Sequence, residues 1–223
     1  MSEISNNTVA AEKQVAAYDI VRIVDRGADT NVLFVGNSIT RHAPKPEIGW
    51  LWDWGMAASC EENDYVHVAV KYIEKKLGPI NYCTACLGEW EKHYWEDEKL
   101  RDWQKARDFR ADIVVIRLGE NIWGERHRFS ELPLEPHYDK MIRYFCSKPN
   151  ARVIVTDLFW DDGGINQTVY RVARKNGYTI VKIGDIGAKD ENKALGQFEH
   201  AGVSIHPNDK GMRKIAERIA ETI

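Results

Sequence analysis

Apolar residues follow two patterns along this chain, and the two patterns alternate. Short continuous apolar runs bounded by polar residues are typical of strands buried on both faces, whereas apolar residues that return every three or four positions predict amphipathic helices. Strands are predicted at residues 32–35, 80–83, 113–117, 153–158 and 179–183. Helices are predicted at residues 57–76, 90–109, 138–145, 165–176 and 213–220.

This alternation of strands and helices indicates a doubly wound sheet with right-handed connections. We therefore predict a three-layer α/β/α sandwich with a five-stranded parallel sheet, formed by residues 31–223 as a single domain. Residues 1–30 carry no motif. The mixed helical periodicity of residues 10–26 predicts an N-terminal arm or extra helix before the first strand.

A serine directly follows the first predicted strand, in the tripeptide Gly36-Asn37-Ser38. The turn that leaves a buried strand of a parallel sheet can project a hydroxyl from the carboxyl edge, where such folds bind their ligands. Ser38 is therefore a candidate nucleophile.

A serine hydroxyl needs a base to become a good nucleophile, and His206 near the end of the chain is a candidate. Pro207 suits the first position of a helix, so His206 should lie just before the closing helix. Nucleophile and base would then come from opposite ends of the domain.

These segments resemble the sequence blocks of the SGNH hydrolases, also called GDSL-like hydrolases. Gly36-Asn37-Ser38 is similar to the first block, Gly119-Glu120-Asn121 to the third, and His206-Pro207 to the last. The resemblance implies the flavodoxin-like SGNH hydrolase fold, with Ser38 attacking an acyl carbon and His206 accepting its proton. It also implies an oxyanion hole made of the Ser38 N–H, a glycine N–H and the Asn121 side chain. Such preorganised donors stabilise the oxyanion that develops in the transition state, and they usually make a large contribution to catalysis.

The chain departs from the family pattern at two places. The family's usual aspartate, three residues before the histidine, is replaced by Val203, which cannot accept a hydrogen bond. Either a backbone carbonyl orients His206 in a Ser–His dyad, or another carboxylate does so, with Glu199 as the nearest upstream candidate. In the family's second block, a glycine donates to the oxyanion. Gly88 is the only candidate for this role, and it could equally make a simple turn before a helix.

Aromatic residues and one carboxylate are the candidates for substrate binding. The tryptophans at 50, 52 and 54 alternate after Ser38, so an extended segment would place them on one side as a wall for a sugar ring or an acyl chain. The alternative is that they pack in the core or in a lid, as large aromatics usually do. We assign substrate binding to Trp52 and Trp54, and also to Glu120 and Trp123, which follow a strand at the ligand-binding edge.

Charge and composition exclude several classes of function. The 31 basic and 34 acidic residues are mixed along the chain, which disfavours nucleic-acid binding. The amino terminus lacks the basic and apolar segments of a secretory signal, and no run is long enough to cross a bilayer, so we expect a cytoplasmic protein without a membrane partner. Cys83 and Cys86 have the spacing of a zinc or redox half-site, but no second half-site follows, so no metal and no cofactor are predicted.

The sequence therefore predicts a serine hydrolase that cleaves a carboxylic ester through an acyl-enzyme. The expected substrate is a small molecule or carbohydrate ester, with a small acyl group such as acetyl on a carbohydrate or polyol. Two alternatives stay open: a lysophospholipase or thioesterase, and a non-catalytic carbohydrate-binding protein on the same scaffold, which the loss of the acid at Val203 would allow. Assembly as a homo-oligomer is also left open by the sequence.

Overall fold

The fold is built on one six-stranded sheet, seen in a computed structural model that describes residues 19–223. The strand order is β1-β3-β2-β4-β5-β6, in which β2 to β6 are parallel and β1 pairs antiparallel with β3. The strands are β1 (Val21–Val24), β2 (Thr30–Gly36), β3 (Ile80–Cys86), β4 (Ile113–Arg117), β5 (Arg152–Thr156) and β6 (Thr179–Val181).

Helices cover both faces of the sheet. They are α1 (Tyr65–Leu77), α2 (Gly88–Lys92), α3 (Gln104–Asp108), α4 (Leu134–Phe145), α5 (Gly163–Asn176), α6 (Gly184–Gly187), α7 (Ala201–Ser204) and α8 (Asp209–Glu221). Short 3-10 helices lie at Pro46–Ile48, Glu61–Asn63, Asp97–Trp103, Glu120–Arg128 and Asp190–Asn192. In the described part of the chain, every helix is too short or too polar to cross a bilayer.

Alternate side chains of the central strands enter two separate cores. In β2, Leu33 and Val35 face the core formed with helices α2 to α5, whereas Val32 and Phe34 face the core formed with α1 and α8. This is the period-two alternation of a strand buried on both faces. The predicted three-layer α/β/α sandwich is confirmed.

The sheet has one strand more than the five predicted. The extra strand is β1 (Val21–Val24), which pairs with β3 from Val21 opposite Ala85 to Val24 opposite Tyr82. It lies where the periodicity of residues 10–26 had predicted a helix. This segment forms a strand because it pairs with a strand that is distant in sequence, and such pairing leaves no local periodicity. The rest of the expected arm, residues 1–18, lies outside the described residues.

The predicted helix at residues 90–109 is divided into α2, a 3-10 segment and α3. Trp90, Tyr94 and Trp103 are all buried in these separate turns, and the Trp103 indole Nε1 donates to the Cys86 carbonyl at 2.9 Å. Packing of large aromatic rings has overridden the helical periodicity here. As a result, a short helix begins at Gly88, directly after β3 and beside the end of β2.

Candidate active site

Ser38 lies on a tight turn that leaves the carboxyl end of β2. The N–H groups of Thr40 and Arg41 both donate to the Asn37 carbonyl, at 2.8 and 3.0 Å, and the Met56 N–H donates to the Ser38 carbonyl at 2.9 Å. Gly36 permits this turn because a Cβ there would come 1.8 Å from Thr40 Oγ1. The serine is therefore held at the sheet edge by backbone bonds on both sides.

His206 lies between α7 and α8 and meets Ser38 across the end of the sheet. The Ser38 Oγ is 2.8 Å from His206 Nε2, and His206 Nδ1 is 2.7 Å from the Gly202 carbonyl oxygen. A carbonyl can only accept, so Nδ1 carries the proton in the neutral ring and Nε2 is the free acceptor. This tautomer is the one that a general base facing a serine hydroxyl requires.

The group that meets His206 Nδ1 is the carbonyl of Gly202 rather than the side chain of Glu199. Glu199 is exposed and lines a different depression, together with Phe198 and His200. Val203, at the position where the family has its acid, is fully buried among Trp50, Met56 and other apolar side chains. The structure thus has the arrangement of the first of the two alternatives, a dyad oriented by a backbone carbonyl.

His206 is almost completely buried, with 8% of its surface exposed. The ring of Trp160 packs edge-on against the imidazole at a centroid distance of 4.9 Å. The pKa of His206 is lowered to about 3, mainly by burial and to a smaller extent by the charges of Arg117 and His42, while the bond to Gly202 opposes the shift. A buried imidazole resists taking up a charge, so His206 is neutral at physiological pH.

The two other predicted oxyanion groups lie beside Ser38. Gly88 is the first residue of α2, and Asn121 is on the turn after β4. The Asn121 Nδ2 is 4.0 Å from the position that a Cβ on Gly88 would take. The first N–H groups of a helix have no partner within the helix, so the Gly88 N–H is available in the same space as the Asn121 amide.

A cleft of about 640 Å³ contains all these groups, with Ser38, Gly88, Asn121 and His206 in its wall. Apolar side chains such as Met56 and Trp103 line part of it, and charged or polar ones such as His42, Lys92 and Asp102 line the rest. A cleft of this size holds a small organic ligand. Its mixed lining suits a substrate that has both polar and apolar parts.

The residues predicted to bind substrate lie outside this cleft. Trp52 is stacked on Trp54 at a centroid distance of 5.5 Å, and the Trp54 indole donates to the Ala58 carbonyl at 3.0 Å. The alternating tryptophans therefore pack on one another and do not line the cleft that contains Ser38. Glu120 and Trp123 line another depression of about 410 Å³, whose wall includes Trp160, the ring that packs against His206.

Sequence reasoning missed a buried polar cluster beneath the serine, formed by Asn37, Glu91, Arg117 and Glu120. Arg117 pairs with Glu120 at 2.6 Å between Nη1 and Oε1, and its other terminal nitrogen donates to Asn37 Oδ1. Glu91 accepts hydrogen bonds from Asn37 and Asn121. The only signal in the sequence is a glutamate placed three residues after Gly88 among aromatic residues.

Searches with protein-family models and with curated protein sequences yielded no match. Solved structures, in contrast, share the fold. A protein described as a GDSL-like lipase from Bacteroides uniformis ATCC 8492 has a TM-score of 0.59 and 15% identity, over 88% of this chain and 96% of that chain.

Two esterases are similar to the same degree. An acetyl xylan esterase from Geobacillus stearothermophilus has a TM-score of 0.55 and 16% identity, over 87% of this chain and 94% of that chain. A carbohydrate esterase family 3 protein from Talaromyces cellulolyticus has a TM-score of 0.54 and 16% identity, over 86% and 95% of the two chains. At such low identity the likeness concerns the fold, and it confirms the fold that the sequence blocks predicted.

Proposed function

We propose that this chain is a serine hydrolase that cleaves carboxylic esters through an acyl-enzyme, with Ser38 as nucleophile and His206 as general base. One observation carries the proposal: Ser38 Oγ is 2.8 Å from His206 Nε2, while the opposite ring nitrogen is bonded to the Gly202 carbonyl. A free serine beside an unsupported imidazole would favour a binding protein instead. The support that Gly202 gives to the ring favours catalysis.

The reaction follows from this geometry in two halves. Ser38 Oγ attacks the ester carbon while its proton moves to His206 Nε2, and the collapse of the tetrahedral intermediate returns that proton to the leaving alcohol. A water molecule then attacks the acyl-serine, gives its proton to Nε2, and the proton returns to Ser38 as the acid leaves. The N–H groups of Ser38 and Gly88 and the amide of Asn121 would stabilise the oxyanion in both halves.

The dyad should be slower than a complete triad for an electrostatic reason. The Gly202 carbonyl fixes the tautomer of His206. In a complete triad, replacing the aspartate by asparagine gives the wrong tautomer and lowers kcat about 10⁴-fold. A carbonyl dipole, however, stabilises the transient imidazolium less than a carboxylate does. We therefore expect turnover that depends fully on Ser38 but is modest in rate.

For the substrate we propose a small acyl group, such as acetyl, carried by a carbohydrate or another polyol. The polar and charged residues in the cleft wall, among them His42, Lys92 and Asp102, support a hydroxyl-rich acceptor rather than a long aliphatic chain. Two solved structures of similar fold are an acetyl xylan esterase and a carbohydrate esterase. A lipase-type acylhydrolase is the second candidate, supported by the apolar part of the cleft around Met56 and Trp103.

The test is hydrolysis of 4-nitrophenyl acetate, 4-nitrophenyl octanoate and a peracetylated monosaccharide by the wild type and by Ser38→Ala. Ser147→Ala is the matched control, because the Ser147 hydroxyl only donates to the Arg107 carbonyl at 2.8 Å, away from the cleft. We expect Ser38→Ala alone to lose turnover, and acetate to be preferred over octanoate. Equal rates for the wild type and Ser38→Ala would refute the proposal, whereas a preference for octanoate would favour the lipase-type candidate.

A further inference from the structure

Glu91 is a fully buried carboxylate beside the proposed oxyanion hole. It lies in the first turn after Gly88, in α2, with no exposed surface. A carboxylate in such a position is costly unless hydrogen bonds compensate it. Its contacts therefore indicate what the chain gains by keeping it there.

Each contact of the Glu91 carboxylate is with an N–H donor from the loops around Ser38. Oε1 accepts from the backbone N–H groups of Gly119 at 2.7 Å and Asn121 at 3.3 Å. Oε2 accepts from the Asn121 side-chain Nδ2 at 2.5 Å. The Asn37 Nδ2 lies 3.1 and 3.2 Å from the two oxygens. One carboxylate thus joins the turn of the nucleophile to the loop of Asn121.

The Asn121 amide has two N–H bonds on the same nitrogen. One is directed at Glu91, and the nitrogen also lies 4.0 Å from the Cβ position of Gly88 at the cleft wall. Because the amide is planar, fixing one N–H bond fixes the direction of the other. The second N–H is then available for an oxyanion formed at Ser38.

We propose that Glu91 is a positioning residue, which holds the Asn121 side chain with one N–H bond aimed at the oxyanion. The inference rests on the proposed function, since it assigns Asn121 to the oxyanion hole of a serine esterase. Preorganised donors are effective because they do not have to reorient during the reaction. Glu91 would supply that preorganisation without touching the substrate.

The charges around Glu91 are consistent with this role. Glu120 lies nearby, and Arg117 is the buried cation that pairs with it. Burial and the neighbouring Glu120 raise the pKa of Glu91 to about 7, while the donors from Asn121, Asn37 and Gly119 oppose the rise. The protein thus keeps an energetically costly acceptor at a place where it reaches both loops.

Glu91→Gln tests the role because it keeps the shape of the side chain but replaces one acceptor oxygen by an NH₂ group. In either orientation the NH₂ group would face a donor, which is the Asn121 side chain in one case and the backbone N–H groups of Gly119 and Asn121 in the other. The hold on Asn121 is broken in both cases. We expect kcat for 4-nitrophenyl acetate to fall roughly 10²-fold to 10³-fold, as for loss of one oxyanion donor, with KM within about threefold. Asn121→Ala should give a loss of the same size.

The double variant Glu91→Gln/Asn121→Ala separates positioning from general stability. If Glu91 acts through Asn121, the double variant should be no slower than Asn121→Ala alone. Multiplied losses would overturn the inference. Asp139→Asn is the matched control: Asp139 is a buried carboxylate on α4 that accepts from Arg143 and Asn176, and its replacement should leave kcat unchanged.

A magnetic resonance measurement keeps the inference testable if Glu91→Gln does not fold or if the proposed function fails. In ¹⁵N-labelled wild type, the side-chain amide of Asn121 is assigned by its loss in Asn121→Ala. One proton shifted downfield and protected from exchange supports the bond to the carboxylate. Two protons at ordinary positions in fast exchange would overturn it. Equal turnover by wild type and Ser38→Ala would refute the esterase proposal alone.

Discussion

The burial of His206 leads to a distinctive pH profile for ester hydrolysis. With a pKa of about 3, the imidazole is neutral at every pH at which such enzymes are normally assayed. A histidine with the ordinary pKa of 6.5 would be only about 3% neutral at pH 5, whereas His206 would be roughly 99% neutral. At pH 5, protonation of His206 should therefore cost almost none of the maximal kcat/KM, whereas protonation of an unperturbed histidine would cost about 30-fold.

The assay is kcat/KM for 4-nitrophenyl acetate from pH 4.5 to pH 8, read at the isosbestic wavelength of nitrophenol. Trp160→Ala is the informative variant, because it removes the ring that packs 4.9 Å from the imidazole and admits water. Desolvation is the largest cause of the lowered pKa, so the variant should regain an acid limb that moves toward pH 6.5. Protonation of Glu91, whose pKa is raised to about 7, loosens its hold on Asn121 and adds a separate loss that Asn121→Ala lacks. An acid limb that halves near pH 6.5 in Asn121→Ala as well as in the wild type would refute the reasoning.

The same burial links pH to folding stability. The pKa of His206 is lowered in the folded state, so its contribution is complete above pH 6.5 and is lost as pH falls toward 3, by at most about 1.4 kcal/mol per pH unit. The pKa of Glu91 is raised from 4.5 to about 7, so its contribution is complete below pH 4.5 and is lost as pH rises toward 7. Between pH 4.5 and 6.5 the two slopes oppose each other. Urea unfolding of Glu91→Gln should therefore show a steeper loss of stability on acidification than the wild type.

Three further substitutions have distinct expected outcomes. Gly36→Ala should lower the unfolding free energy by about 2 kcal/mol or more and also lower turnover, because its Cβ would lie 1.8 Å from Thr40 Oγ1; urea unfolding without a loss would contradict this. Val203→Asp should lower the unfolding free energy by roughly 3 kcal/mol or more without raising kcat, since the site is apolar and fully buried; a faster enzyme would show that the acid can still reach His206. Trp52→Ala should leave kcat/KM for 4-nitrophenyl acetate within about twofold, because Trp52 lies outside the cleft; a large drop would return the tryptophans to the substrate site.

The central strands of the parallel sheet could be predicted because they are buried on both faces. Val32 to Val35 have no exposed surface. A strand that is buried on both faces needs apolar residues at successive positions, so it is recognisable as a continuous apolar run. Strand β1 (Val21–Val24) has only one buried residue among its four, and its existence depends on pairing with β3 across the chain. An edge strand of that kind leaves no comparable local pattern.

The candidate site was likewise predictable from the sequence only in part. Ser38 follows directly from the strand before it, and His206 from the helix after it, because both positions are set by local strand and helix ends. Their approach to 2.8 Å joins residues 168 positions apart. The bond from His206 to Gly202, by contrast, depends on the backbone path of α7, which a search for carboxylates in the sequence could not reveal.

By itself, therefore, the sequence determined the layered fold, the strand that presents Ser38 and the helix that follows His206. These features depend on the burial and hydrogen bonding of neighbouring residues, which periodicity and turn residues record. Only the tertiary structure decided that a carbonyl meets the histidine, that the tryptophans stack on one another outside the cleft, and that Glu91 is buried beside Asn37 and Asn121. Those features depend on which side chains meet across the sheet edge, and contacts between distant segments leave no period in the sequence.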